Sequence, residues 1–265
     1  MIEERTPAIV LRSRVHGESD KIVIFLTQDW GKVTGIAKGA KRSRRRFVNV
    51  LESFTHVQLR FRPGRTDELA FIFGCDLIQS FRGPSRDLQR FALASYITEL
   101  IDAMVAGRES GRETYELLLH GLTTLEEQSL LSPLFLPVFE LFLLTHVGYA
   151  PHLTGCQQCG ASFDEDETPL IFSPGRGGLL CRNCRGQGGV TLRLSPETLR
   201  LLLSLSNSAV DTFLKITASP RVYRETRALV SGLLSRHLLR PLKSQAFLEQ
   251  AGVFNDSHVD GSQEK

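Results

Sequence analysis

The sequence lacks the motifs that identify most enzymes acting on nucleotides. Neither the phosphate-binding loop G-x-x-x-x-G-K-[ST] nor the dinucleotide fingerprint G-x-G-x-x-G occurs, so nucleotide hydrolysis has no support. His16 and Glu18 match half of a zinc deaminase signature, but its other half, P-C-x-x-C, is missing. No Ser/His/Asp arrangement or carboxylate pair can be identified either. We therefore expect a protein without turnover chemistry.

The sequence also lacks a long uninterrupted apolar run. Its most apolar stretch, residues 130–150, is interrupted by two prolines and by Glu140 and His146, which favours a buried helix over a membrane span. Residues 1–5 do not form the basic segment that opens a secretory signal. From these absences we expect a cytoplasmic protein with no membrane role.

Cysteine is scarce, and four of the five cysteines fall into two C-x-x-C pairs. The pairs Cys156/Cys159 and Cys181/Cys184 are separated by 21 residues, a spacing typical of a structural zinc ribbon. Four thiolates complete a tetrahedron around one Zn²⁺ and leave no position for water. We therefore predict one structural zinc ion rather than a catalytic one.

Other uses of the cysteines have less support. A redox pair of the thioredoxin kind needs a βαβ context, which the sequence does not offer. Structural disulfides are rare in a reducing cytosol. The fifth cysteine, Cys75, stands alone in an apolar run and is predicted to be a core residue.

The net charge is only +3, but the positive charge is concentrated near the start of the chain. Residues 1–80 carry 14 Lys and Arg against 9 Asp and Glu, whereas residues 81–150 carry 5 against 9. This asymmetry suggests two domains with different partners. The densest basic segment, residues 38–46, is called the basic loop below. It contains six cations and no acid, namely Lys38, Lys41, Arg42, Arg44, Arg45 and Arg46.

The first eighty residues are predicted to form five short strands, because β-branched and aromatic segments alternate with turn residues. The predicted strands are 8–15, 21–27, 32–37, 55–62 and 68–76. Five short strands with no helix between them suggest a small β-barrel. The OB-fold, which often binds single strands, is a barrel of this size.

Alternation along the strands places further cations near the basic loop. In the fourth strand, Arg60 and Arg62 lie on the face opposite the apolar residues. In the first strand, Arg12 and Arg14 are expected to share one face with Val10. The loop and strands together predict a basic groove for phosphates. An ordinary solvated loop is the alternative interpretation.

Aromatic residues that could stack on bases are less obvious. Trp30, Phe47 and Phe54 flank the basic loop, but each is at least as compatible with a core position. The predicted site is therefore mainly electrostatic. The predicted DNA-binding residues are Arg12, Arg14, Lys21, Lys38, Lys41, Arg42, Arg44, Arg45, Arg46, Arg60 and Arg62.

From residue 84 onward the apolar residues recur every three or four positions, which predicts helices. Ser85 is expected to cap the first helix, and the segments 115–125 and 135–143 repeat the pattern. Ser195 and Ser219 each precede a proline, a combination typical of a helix start. Between these helices, residues 155–189 are rich in glycine and cysteine and are predicted to be an insertion.

These predictions combine into an α+β, multi-domain chain. A five-stranded OB-fold barrel is followed by an α-helical domain that carries an inserted four-cysteine zinc module. The expected parts are an OB-fold DNA-binding domain (1–80), the first part of the helical domain (81–150), the zinc-binding module (151–190), the second part of the helical domain (191–250) and a flexible tail (251–265).

Five segments, in this order, make the chain resemble the RecO family of bacterial recombination mediators. They are 17–21 (GESDK), 31–42 (GKVTGIAKGAKR), 148–151 (GYAP), 172–174 (FSP) with the glycines that lead to Cys181, and 240–244 (RPLKS). Each segment is modest alone, but together they cover nearly the whole chain, from Ala8 to Leu248.

The resemblance implies more than the residues do by themselves. Proteins of this family have an N-terminal OB-fold, bind single- and double-stranded DNA, and anneal complementary strands without being enzymes. They act in DNA repair and recombination with RecR, and often RecF, to load RecA onto strands coated by single-strand-binding protein. A nucleoid-associated, cytoplasmic location follows. Some members lack the four cysteines, so zinc is expected to support the fold.

Two other classes remain open at this point. A zinc-ribbon regulator that binds duplex DNA at a defined sequence would need a recognition helix, for which only the segment 222–239 is a basic candidate. A zinc hydrolase or deaminase would need an open metal position, which four cysteine ligands do not leave.

Overall fold

The structure is a computed structural model that describes residues 3–65, 68–107, 111–163, 170–186, 189–206 and 218–253. Its strands are β1 (Glu4–His16), β2 (Asp20–Thr27), β3 (Gly31–Ala37), β4 (Thr55–Arg62), β5 (Ala70–Ser80), β6 (Leu170–Ser173), β7 (Gly178–Leu180) and β8 (Leu192–Leu194). Its helices are α1 (Leu88–Met104), α2 (Arg112–Glu127), α3 (Phe135–His146), α4 (Pro196–Ser206), α5 (Pro220–His237) and α6 (Lys243–Gln250). The predicted α+β composition is confirmed.

The first five strands close into a barrel in the order β1-β2-β3-β5-β4. All neighbouring strands are antiparallel except β3 and β5, which pair in parallel over two residues. One side of each strand fills the interior, where Phe25, Leu59, Phe61 and Ile72 are fully buried. The predicted strands and the predicted five-stranded barrel are therefore confirmed.

A bulge in β1 changes the face of two predicted DNA-binding residues. Val10 belongs to the barrel core, but the register then skips Leu11, and Arg12 pairs with Ile24, outside that core. An extra residue in one strand reverses the alternation that follows it. Arg12 and Arg14 are consequently exposed on the outer face. The prediction that they share the face of Val10 is wrong.

The connection between β3 and β4 closes one end of the barrel. It starts with a single 3₁₀ turn, Ala40–Arg42, and contains the whole basic loop. Ala40, Phe47, Val50 and Leu51 are buried in the same core as the strand residues. Because these four side chains anchor it, the connection follows a defined path across the barrel end.

The helices α1, α2 and α6 form one compact unit with the barrel, drawn from the described residues of 1–128 and 242–253. Asp87 begins α1 by accepting the amide of Gln89, so the prediction that Ser85 caps this helix is wrong. The chain first makes a 3₁₀ turn, Gly83–Arg86, which delays the helix start. Glu99 of α1 accepts the amides of Lys243 and Ser244 and thereby holds the start of α6.

The second compact unit, drawn from the described residues of 129–241, contains α3, α4, α5 and a sheet ordered β7-β6-β8. Ser195 and Ser219 accept the amides of Thr198 and Val222, which confirms both predicted helix starts. Glu225 of α5 accepts hydrogen bonds from the amide and hydroxyl of Ser195 and from the hydroxyl of Thr198. This carboxylate therefore ties α5 to the beginning of α4.

The predicted boundaries at residues 80, 150 and 190 stay predictions, because the two units are defined by compactness alone. Most of the predicted tail, 251–265, lies outside the described residues. Within the described parts of the chain, no helix combines the length and the apolarity that crossing a membrane requires.

Candidate nucleic-acid interface and metal centre

The basic loop presents its cations to solvent while its apolar residues are held in the barrel. All six cations are exposed. Among the residues that the structure describes, no carboxylate forms an ion pair with any of the six. The Arg46 guanidinium donates to the carbonyl of Lys38 at 3.1 Å, which joins the two ends of the loop. Such a concentration of positive charge favours a polyanionic partner.

The turn between β1 and β2 supports the root of the basic loop. The Asp20 carboxylate accepts the amide of Gly39 at 2.8 Å, and the carbonyl of Ser19 accepts the amide of Lys41. The hydrogen bond from Gly39, followed by that from Ser19, lowers the pKa of Asp20. Lys21 forms an ion pair with Glu52 at 2.8 Å. The segment GESDK therefore fixes where the loop leaves the barrel.

Three of the predicted DNA-binding cations already have acidic partners. Besides Lys21, these are Arg12, whose Nε lies 2.9 Å from the carboxylate of Asp102, and Arg60, which lies between Glu3 and Asp76 at 3.9 and 3.6 Å. A cation with a carboxylate partner gains less from a phosphate, because the existing ion pair must be weakened.

The aromatic residues that flank the basic loop in sequence do not face the same surface. Phe47 is buried in the barrel core, and Phe54 packs edge-to-face on Phe91 of α1. Trp30 packs edge-to-face on Phe61 and lines a cleft of about 940 Å³ beside the β2–β3 and β4–β5 turns. The β2–β3 turn that contains Trp30 precedes β3, whereas the basic loop follows β3, so the two lie at opposite ends of that strand. These three residues are therefore poor stacking partners for DNA held at the loop.

Two other aromatic residues do lie on the outer face near the predicted cations. Phe71 and Phe73 of β5 are half-buried, with ring centroids 5.1 Å apart. The guanidinium of Arg62 lies 5.7 Å from the Phe71 centroid. Sequence reasoning missed both rings, although the order Phe71-Ile72-Phe73 in a predicted strand indicates that they face away from a buried Ile72.

The cysteine pairs are brought together by β7. The chain from His152 to Gln157 runs beside this strand, with Leu179 donating its amide to the carbonyl of His152 and accepting the amide of Gln157. A Cβ at Gly178 would lie 2.8 Å from the Gln157 Cβ, so glycine permits this close approach. Cys156 therefore lies beside the end of β7, which leads directly into Cys181.

The four sulfur atoms lie close enough together to hold one metal ion. All lie within 4.8 Å of one another, and the Sγ atoms of Cys159 and Cys181 are 3.7 Å apart. A tetrahedron with metal–sulfur bonds of about 2.3 Å has sulfur separations of about 3.8 Å. Around the sulfurs, Leu180 and Phe163 pack as a small apolar cluster. The side chains present therefore fit a four-thiolate metal site.

The remaining cysteine is of a different kind. Cys75 is buried in the barrel core, and burial raises its pKa to about 12. It therefore stays a protonated thiol at neutral pH, and its core position agrees with the prediction.

Comparison with known proteins gives consistent results along the chain. The family model "Recombination protein O N terminal" matches residues 1–81, and "Recombination protein O C terminal" matches residues 85–246. "DNA repair protein RecO" of Syntrophus aciditrophicus (strain SB) is 35% identical over 93% of this chain and 95% of its own length. The protein of the same name from Geobacter metallireducens is 36% identical over 94% of this chain and 98% of its own length.

Proposed function

This chain belongs to the RecO family of DNA repair proteins, and on that premise we propose that it binds single- and double-stranded DNA through the basic loop. One observation carries the proposal. Six exposed cations, none of them in an ion pair among the described residues, sit on a segment anchored by four buried apolar side chains. An ordinary solvated loop would not need that anchoring.

Binding of this kind is electrostatic and largely independent of sequence. Each cation that meets a phosphate releases a condensed counterion, which is the main source of affinity. Besides the loop cations, Arg14 and Arg62 contribute from the outer strand faces. Arg12, Lys21 and Arg60 contribute less, because carboxylates already partner them.

The same charge gives the protein a mechanism for annealing. Two DNA strands repel each other through their phosphates, and a cationic surface that contacts both lowers this repulsion. The protein thus favours pairing of complementary strands and performs no turnover chemistry. As family resemblance suggests, it acts with RecR, and in some settings RecF, to load RecA onto DNA coated by single-strand-binding protein.

The four cysteines hold one structural Zn²⁺ in this proposal. Four thiolates fill a tetrahedral coordination sphere, so the ion supplies cross-linking of the two C-x-x-C turns and no catalysis. Membership in a family of DNA repair proteins does not favour the alternative of a sequence-specific regulator.

Strand annealing tests the proposed function. Two complementary oligonucleotides are mixed with the protein, with and without a coating of single-strand-binding protein, and duplex formation is followed by fluorescence energy transfer. We expect faster annealing than the spontaneous rate in both cases, and slower annealing for Arg44→Ala combined with Arg45→Ala. The control removes two exposed arginines elsewhere, with Arg193→Ala and Arg200→Ala. Failure of the wild-type protein to bind or anneal DNA would refute the proposal.

A further inference from the structure

Phe71 and Phe73 are large apolar side chains on the outer face of the barrel. Ile72 between them is fully buried and pairs with Phe61 inside the barrel. The register with β4 then shifts, so that Gly74 pairs with Arg60 and Phe73 is the extra residue. A bulge of this kind re-aims the side chain that it contains. Both rings lie on one outer surface, as the alternation around Ile72 indicates, at an interplanar angle of 64°.

One flank of these rings is formed by the arginines of β4. Arg62 pairs with Phe71 in the register, and its guanidinium lies over that ring. Arg60 reaches across β5, because a Cβ at Gly74 would lie only 2.7 Å from its Nη2. Cations therefore border both rings on the β4 side.

The other flank is formed by the basic loop. Ile36 of β3 pairs with Phe71 in parallel, so the chain that continues to Lys38 runs alongside the next residues of β5. Farther along, the amide of Cys75 donates to the carbonyl of Arg46 at 3.3 Å. The basic loop is thus hydrogen-bonded to β5 just beyond Phe73. The two half-buried rings lie between two rows of cations.

We propose that Phe71 and Phe73 stack against unpaired bases of single-stranded DNA whose phosphates contact the basic loop on one side and Arg62 on the other. This inference rests on the proposed DNA binding and adds a contact to bases. Every base has a π-face, so stacking on phenylalanine adds affinity without sequence preference. Bases inside a duplex are already stacked on one another, so the contribution is confined to single strands. Arg60 already forms ion pairs with Glu3 and Asp76, so we assign it a positioning role.

The test compares three nucleic acids with the same number of phosphates per strand. These are a single strand of mixed sequence, a single strand built of abasic sites, and a duplex. The variant Phe71→Leu with Phe73→Leu keeps apolar bulk but removes both rings, whereas Phe71→Tyr with Phe73→Tyr keeps the rings. Because both rings are half-buried, the unfolding temperature of each variant is measured as well, and a general loss of fold would weaken binding of all three nucleic acids equally.

We expect the leucine pair to weaken binding of the mixed single strand by about fivefold to 150-fold for each base that loses its ring. Binding of the abasic strand and of the duplex should change less than twofold, and the tyrosine pair should bind like the wild type. Equal losses on mixed and abasic strands, or no loss at all, would overturn the inference while leaving the proposed function intact. Absence of any DNA binding by the wild-type protein would instead refute the proposed function.

Discussion

The salt dependence of DNA binding should distinguish the basic loop from the ion-paired arginines of the strands. Replacing Arg44 and Arg45 with alanine removes two exposed cations that have no carboxylate partner among the described residues. For single strands, each neutralised phosphate contributes about −0.7 to the slope of log K against log salt. If all six loop cations contact phosphates, the loop contributes about −4.2, and the double variant flattens the slope by about 1.4.

This flattening has a consequence that can be measured directly. Between about 50 and 200 mM salt, a slope difference of about 1.4 changes the ratio of wild-type to variant affinity about sevenfold. The defect of the variant should therefore be largest at low salt and shrink as salt rises. A defect caused by misfolding would not follow this dependence.

Arg12→Ala is the matched control for a single loop variant such as Arg44→Ala. Arg12 is also an exposed arginine of the barrel unit, but its Nε is 2.9 Å from the carboxylate of Asp102. Asp102 also pairs with Lys32, so it keeps a cationic partner in this variant. We expect Arg12→Ala to change the slope by less than half of the change of about 0.7 expected for one phosphate contact.

Fluorescence anisotropy of a labelled single strand, titrated at five salt concentrations, provides the slopes. Two unrelated sequences should give the same values, because phosphate contacts do not depend on base identity. An unchanged slope in the double loop variant, or an equal change in Arg12→Ala, would refute the assignment of phosphate contacts to the loop.

Three further predictions concern the supports of the fold. Asp20→Ala should weaken DNA binding, although it removes a negative charge, because the amide of Gly39 loses its acceptor at the root of the basic loop. Asp20→Asn keeps an acceptor and should bind DNA at least as well as the wild type. Fluorescence anisotropy of a labelled single strand will distinguish the two variants. Metal analysis should find about one zinc per chain in the wild type and less in Cys159→Ser, which should also unfold at a lower temperature. Full stability of a metal-free wild-type sample would contradict the zinc site. Hydrogen bonds outweigh burial and lower the pKa of Glu225 to about 2 from 4.5. Its carboxylate therefore stabilises the fold above about pH 4.5, and this contribution is lost as the pH falls towards 2. The shift corresponds to about 3.4 kcal/mol, which solvent screening reduces to about 2 kcal/mol. Acid unfolding of Glu225→Gln should lack this dependence.

The barrel could be predicted from the sequence because segments rich in β-branched and aromatic residues are separated by turn residues, and one of them alternates strictly between apolar and polar residues. Val57, Leu59 and Phe61 are the clearest case, and all three lie in the core. The bulge at Leu11 could not be predicted, because an extra residue leaves no mark in the alternation of apolar residues that precede it. The error in the face of Arg12 follows from that single residue.

Ion pairs between residues that are far apart in the chain could not be predicted from the sequence either. Asp102 is placed beside Arg12 by the packing of α1, and no local pattern signals that ion pair. The four cysteines were recognised because metal ligands have a characteristic spacing, and the structure brings them together. The sheet around them was missed, since β7 and β8 have three residues each and are too short to show a period.

Base stacking on Phe71 and Phe73 competes with annealing, because a base must leave the phenylalanine ring before it can pair with its complement. Two phenylalanines can retain two bases at most, and each stacked base contributes about 1–3 kcal/mol. A growing duplex gains about 1.4 kcal/mol for each base-pair step. After about two to four steps the duplex has therefore recovered the loss of both stacked bases. A stacking surface of only two rings can thus hold a single strand open for pairing without keeping it from its complement, whereas a longer row of aromatic residues would oppose annealing.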